Sequence, residues 1–225
     1  MTETDAPQAA FLIALPPGWL RMPAREADRP LLREMVEAIV DEALPATLPR
    51  DTAEPWRGEL RKRLIGAVVE AGDAGASAVY LPVRAVNGVT VPASIVESEI
   101  DDDGIGEPGS VLADLLADGE RDATSHTVDG ALAVRTDSTT VRFEPRDGWP
   151  AVTTRQIVYT VEVPHREGRW IVLSFSTASG DTPSAALSDA LVSLFDALMS
   201  TFRFADVPGV DHSDLERRLA QIHSL

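Results

Sequence analysis

The sequence contains no cysteine and only one lysine, Lys62. The first absence excludes disulfides, thiol nucleophiles and thiolate metal sites together, and it fits a reducing compartment. The second leaves arginine to carry nearly all the positive charge. Arginine does not keep pace: 20 Lys and Arg face 36 Asp and Glu, for a formal net charge of −16. A polyanion is repelled by phosphate backbones and by anionic lipid surfaces, so neither nucleic acid nor a membrane is an expected partner. Long hydrophobic runs are missing too. No stretch approaches the roughly 18 apolar residues that span a bilayer, and the acidic start Met1–Asp5 lacks the basic region of a secretory signal. The expectation is a cytoplasmic protein.

What is present suffices for a core, since 44% of the residues are hydrophobic. The clearest packing unit spans 154–203. From Gln156 to Val163, Ile157, Tyr159, Val161 and Val163 alternate with Gln156, Thr160 and Glu162, the period of a half-buried strand. His165-Arg166-Glu167-Gly168 supplies a polar turn, and Trp170 to Ser176 repeats the alternation through Ile171, Leu173 and Phe175. Thr182 and Pro183 then start a helix, with Leu187, Leu191, Leu194, Phe195, Leu198 and Phe202 along one stripe. Sheet face and helix stripe are expected to bury each other, with Leu194 and Leu198 in the main core.

Upstream, Phe11–Leu15 reads as a short strand ended by Pro16-Pro17-Gly18. A first helix runs from near Pro30 to Pro45 on Leu32, Met35, Val36, Ile39, Val40 and Leu44. A second runs from Ala53 to Ala71, with Trp56, Leu60, Leu64 and Val68 inward. Strands at 78–86 and 89–100 flank Asn87-Gly88, which predicts a tight hairpin. Asp101–Gly109 is an acidic, glycine-rich turn, and Ser110 caps a short helix with Val111, Leu112, Leu115 and Leu116. Further strands are expected near Thr127–Val134 and Thr139–Glu144. The short links favour antiparallel pairing. The expected fold class is α+β, a single antiparallel sheet of about six or seven strands with helices packed against it. Residues 1–9 are expected to be a disordered N-terminal tail, 10–205 a single domain, and 206–225 a linker and C-terminal helix over Leu215, Leu219 and Ile222.

The run Ala14-Leu15-Pro16-Pro17-Gly18-Trp19 near the start, and Trp170-Ile171-Val172-Leu173-Ser174-Phe175-Ser176-Thr177 leading into Leu194-Phe195-Asp196-Ala197-Leu198, carry a resemblance. With the order of elements between them, these stretches resemble the Mog1/PsbP-like fold, and a similar ending occurs in uncharacterised actinobacterial proteins. The likeness covers roughly 10–204. It implies a binding or assembly module with no catalytic role, by analogy of fold alone.

His126, His165, His212 and His223 form no H-E-x-x-H or H-x-H pattern, and zinc needs three or four convergent ligands. Gly104, Gly106 and Gly109 do not complete G-x-G-x-x-G, and a Walker A motif is absent. Ser174 and Ser176 lack the glycine elbow of a nucleophile, and Trp170 reads as core rather than anchor. The acidic run Glu97, Glu99, Asp101, Asp102, Asp103 and Glu107 starts like a calcium loop. A loop begun at Asp101 has its glycine, Gly106, but meets Leu112 where a carboxylate must stand. No cofactor, metal or catalytic residue is assigned. The acidic run is the candidate contact with a partner, expected to be a protein with a basic surface. The leading expectation is a non-enzymatic adaptor. The alternatives are an accessory or chaperone-like protein of a bacterial secretion system, or a small-ligand-binding protein with a cavity between sheet and helix.

Overall fold

The computed structural model describes residues 11–43, 50–85, 88, 90–101, 122–143, 152–166, 168–180 and 182–205. The expected tail, the Ser110 helix and the C-terminal linker and helix lie outside these residues.

The class is α+β, as expected. Seven strands form one sheet in the order β2 (Trp19–Pro23), β3 (Ala76–Pro82), β4 (Ala93–Asp101), β8 (Arg169–Ser179), β7 (Val152–Glu162), β6 (Ala131–Phe143) and β5 (Asp122–Val128). Every neighbouring pair is antiparallel. A two-stranded sheet pairs β1 (Phe11–Leu12) with β9 (Arg203–Phe204). Helix α1 (Arg29–Ala43) and helix α2 (Arg50–Asp73) lie on one face of the large sheet, and helix α3 (Thr182–Ser200) lies on the other.

Strand alternation decides what each face buries. On the α3 face, Ala78, Tyr80, Ile95, Ile157, Tyr159, Val161, Ile171, Leu173 and Phe175 meet Leu191, Val192, Phe195, Leu198 and Met199. Phe195 is the centre, stacked on Phe175 at 5.0 Å and edge-on to Tyr159 at 5.6 Å. Offset and edge-on contacts of this kind suit the ring quadrupoles. Phe202 continues the layer under the small sheet, between Phe11 and Phe204. On the opposite face Met22, Val79 and Ala76 pack on Leu32, Val36, Ile39, Val40 and Val68. Helix α2 comes so close to the residue after β2 that a Cβ at Gly72 would lie 2.0 Å from the carbonyl oxygen of Ala24.

Several expectations need correction. The strands either side of Asn87-Gly88 are shorter than expected, β3 stopping at Pro82 and β4 starting at Ala93, but they pair antiparallel as expected, in a register centred on 87–88 that sets Val79 against Val96 and Tyr80 against Ile95. Proline accounts for both ends, because Pro82 and Pro92 have no N–H to extend the ladder. Gly88 has φ +79°, as its turn requires, and Asn87 lies outside the described residues. A two-residue turn stands at Asp129-Gly130, with φ of 49° and 81°, which cuts the expected 127–134 strand and joins β5 to one long β6. Trp56 is 68% exposed and Leu194 is 36% exposed, so neither is core. Leu198, at 7%, is.

Candidate functional site

Two charged clusters stand on the α3 face. The first is built on β4, where Glu97 shares its side of the strand with Ile95 and is 1% exposed. A bulge in β3 between Ala76 and Ala78 turns Ser77 toward it. Arg21 on β2 donates from Nη2 to Glu97 Oε1 at 2.8 Å and from Nε to Oε2 at 3.0 Å. The Tyr80 hydroxyl donates to Oε2 at 2.6 Å, and Ser77 Oγ to Oε1 at 2.7 Å. Burial opposes the charge, but the bonds from Arg21, Tyr80 and Ser77 and the Arg21 charge outweigh it and hold Glu97 below the usual carboxylate range. Burial and the adjacent Glu97 push the Tyr80 phenol up. A carboxylate fixed as an anion and a phenol fixed as an acid are poorly matched to proton transfer near neutral pH.

The second cluster pins α3 to the sheet. Arg135 on β6 makes a bidentate pair with Asp196 of α3, at 2.9 and 3.2 Å, and the Tyr159 hydroxyl donates to Asp196 at 3.0 Å. One register step along, Arg155 on β7 holds Asp137 at 2.7 and 3.0 Å and reaches Asp189 of α3 at 2.7 Å. Asp189 and Asp196 are seven residues apart, two turns of one helix face. Burial opposes the charge of Asp137, yet the bond to Arg155 and the charges of Arg155 and Arg135 hold its pKa low. Burial and Asp196 push the Tyr159 phenol up.

The acidic run is therefore divided. Glu97 is sealed inside the fold, where it cannot meet a partner. Glu99 is 13% exposed and, with Asp101, faces Arg169 on β8 at 3.4 and 3.8 Å. Asp101 keeps 61% of its side chain exposed. Asp102, Asp103 and Glu107 lie outside the described residues. His126 Nε2 lies 2.9 Å from Thr124 Oγ1 and its ring contacts Tyr159; His165 occupies the β7–β8 turn at φ 63°. His212 and His223 are outside the described residues. Ser174 accepts a bond from Gln156 at 2.7 Å, and Trp170 is buried against Val134. Among the described residues no group of three or more His, Asp or Glu converges as metal ligands.

Tyr159, Phe175 and Phe195 pack against one another between the sheet and α3. A pocket of about 290 Å³ lies elsewhere, lined by Ile39, Glu42 and Ala43 of α1 and by Val83, Arg84 and Ala85 after β3. Arg84 and Glu42 pair with each other there. The ionic partners of Glu97 were missed in the sequence, though one signal existed: a glutamate in step with Ile95 points inward and needs a donor.

No family model matches the chain, and no curated protein matches it. The solved structure of LpqN, described as involved in cell envelope biogenesis of Mycobacterium tuberculosis, is similar over 89% of this chain and 86% of that one. The sequence identity is 13% and the TM-score 0.42, so no residue or role is carried over. Among the described residues no helix is long and apolar enough to cross a membrane.

Proposed function

We propose that this chain is a non-enzymatic, cytoplasmic protein-binding or adaptor module of Mog1/PsbP-like type. The observation that carries the reading is the ionic saturation of the α3 face. Arg21, Arg135 and Arg155 are each spent on carboxylates of the same chain, and buried apolar side chains pack beneath them. Pre-organised charge serves catalysis when it is aimed at a reacting group; here it is aimed at other elements of the fold. The partner meets the outside, and the net charge of −16 favours a basic surface. Glu97 and Glu99 are withdrawn from the candidate contact. Asp101 remains, with Asp102, Asp103 and Glu107 beside it in sequence.

The test is affinity capture from the native cell followed by association kinetics with the captured partner. Attraction between exposed charges is screened over about 8 Å at physiological salt. The on-rate is expected to fall from low to moderate salt, and Asp101→Asn with Asp102→Asn and Asp103→Asn should flatten that fall. An on-rate indifferent to both salt and the triple substitution removes the acidic contact. The pocket beside α1 favours a second reading, small-ligand binding. A small molecule retained by the native protein and lost on Ala43→Trp would support that reading against the adaptor.

A further inference from the structure

We infer that β5 is a self-complementary edge through which two copies of this chain pair, extending the sheet across a two-fold axis. β5 ends the seven-stranded sheet, and no described strand pairs with its outer side. Among the described residues its burial is that of an open edge: Thr124, Ser125, His126 and Thr127 are exposed in succession. Sheet edges are ordinarily guarded by short length, proline, lysine or a bulge. The opposite edge, β2, has five residues and ends in Pro23. β5 has seven residues, contains no proline or lysine, and pairs with β6 without a register shift.

The hairpin fixes which amides are free. In a two-residue turn the flanking residues form a hydrogen-bonded pair, here Val128 with Ala131. Alternation then directs the N–H and C=O groups of Val128, His126, Thr124 and Asp122 toward β6. Those of Ala123, Ser125 and Thr127 point outward. Ser125 is the midpoint both of that outward set and of the strand. An antiparallel copy centred on Ser125 sets Ser125 against itself and Ala123 against Thr127, so every outward amide finds a partner. The interface is isologous, as a two-fold requires.

Charge selects a second copy at this edge. A molecule of net charge −16 repels its own kind over most of its surface, yet the only carboxylate in β5 is Asp122, at the end. In the paired register Asp122 meets Val128, and no two charged residues of β5 are opposed. On the α3 face Thr124 meets His126, the pair that already associates within one chain.

The test uses the full chain and its lack of cysteine. Sedimentation velocity over a concentration series should show reversible doubling of mass. Ser125→Pro removes the central outward donor while leaving the β6 ladder its bonds, and should abolish the doubling. Residues directly opposite in a hydrogen-bonded pair have Cα atoms about 5.5 Å apart, within disulfide range. Ser125→Cys should therefore form a covalent dimer on mild oxidation. Thr127→Cys, which faces Ala123, should not. A wild-type chain monomeric at every concentration overturns the inference. So does doubling that survives Ser125→Pro in a folded variant, or cross-linking of the Thr127→Cys variant equal to that of Ser125→Cys.

Discussion

Glu97 keeps a negative charge at 1% exposure because Arg21, Tyr80 and Ser77 converge on its two oxygens. Its pKa in the fold is lowered, against about 4.3 in an unfolded chain. The stability this supplies is therefore fully present above the unfolded value and lost as pH falls through the folded one. Glu97→Gln should be less stable than wild type at neutral pH, with the gap closing in urea melts taken well below the carboxylate range. A gap independent of pH would mean that packing, not charge, sets the effect. Breaking a buried pair from one side costs about 3–5 kcal/mol, but Arg21 is 44% exposed. Solvent screening brings the expectation for Arg21→Ala to about 2 kcal/mol. Gly72 is constrained differently. The carbonyl oxygen of Ala24 sits where its Cβ would be, so Gly72→Ala must push α2 away from Ala24, the residue that follows β2. The loss should be about 2 kcal/mol or more in denaturant melts, despite alanine's better helix propensity. An unchanged midpoint would show that the contact yields freely.

At the scale of elements, α3 is held by a stripe of apolar residues and by two arginine–aspartate pairs at its flank. Leu198→Ala should cost about 2–5 kcal/mol, since the side chain is buried. Leu194→Ala should stay within about 0.5 kcal/mol, as an exposed site does. Equal losses in the two variants would place α3 at a different rotation on the sheet. The distinction marks where the sequence was legible. Both leucines fit a helical stripe, but a stripe is wider than the surface it meets, and only the sheet decides which edge is left out. The same holds for strands. Period-two alternation placed β7 and β8 correctly, because Ile157, Tyr159, Ile171 and Leu173 face a covered side. Asn87-Gly88 and Asp129-Gly130 carry the same turn chemistry, and local sequence alone ranks the first above the second. Pro82 and Pro92 shorten the strands that flank the first, while β-favouring residues run up to both sides of the second. The charged clusters were legible only as inward-pointing singles. Arg21 and Glu97 are 76 residues apart, and Arg135 and Asp196 are 61 apart, so their pairing is a product of topology.

For the whole molecule, the balance lies between a net charge of −16 and the ion pairs inside the fold. Like-charge repulsion among exposed carboxylates opposes the compact state, and salt screens it. The pairs that salt could also weaken are partly sheltered: Arg135 is 15% exposed and Asp137 is 17%. Buried pairs are screened much less than surface ones. The repulsive contribution should therefore respond first. The melting temperature at neutral pH is expected to rise from low to moderate salt, by about 4–8 °C for each kcal/mol in a small domain and less in a chain this long. Chloride salts of sodium and potassium should act alike, since the effect is one of ionic strength and not of a bound cation. A melting temperature that falls with salt would mean that the pairs binding α3 to β6 and β7 outweigh the repulsion. In that case Asp196→Asn should remove most of the salt dependence, because it breaks the bidentate contact with Arg135 and leaves the surface charge nearly unchanged.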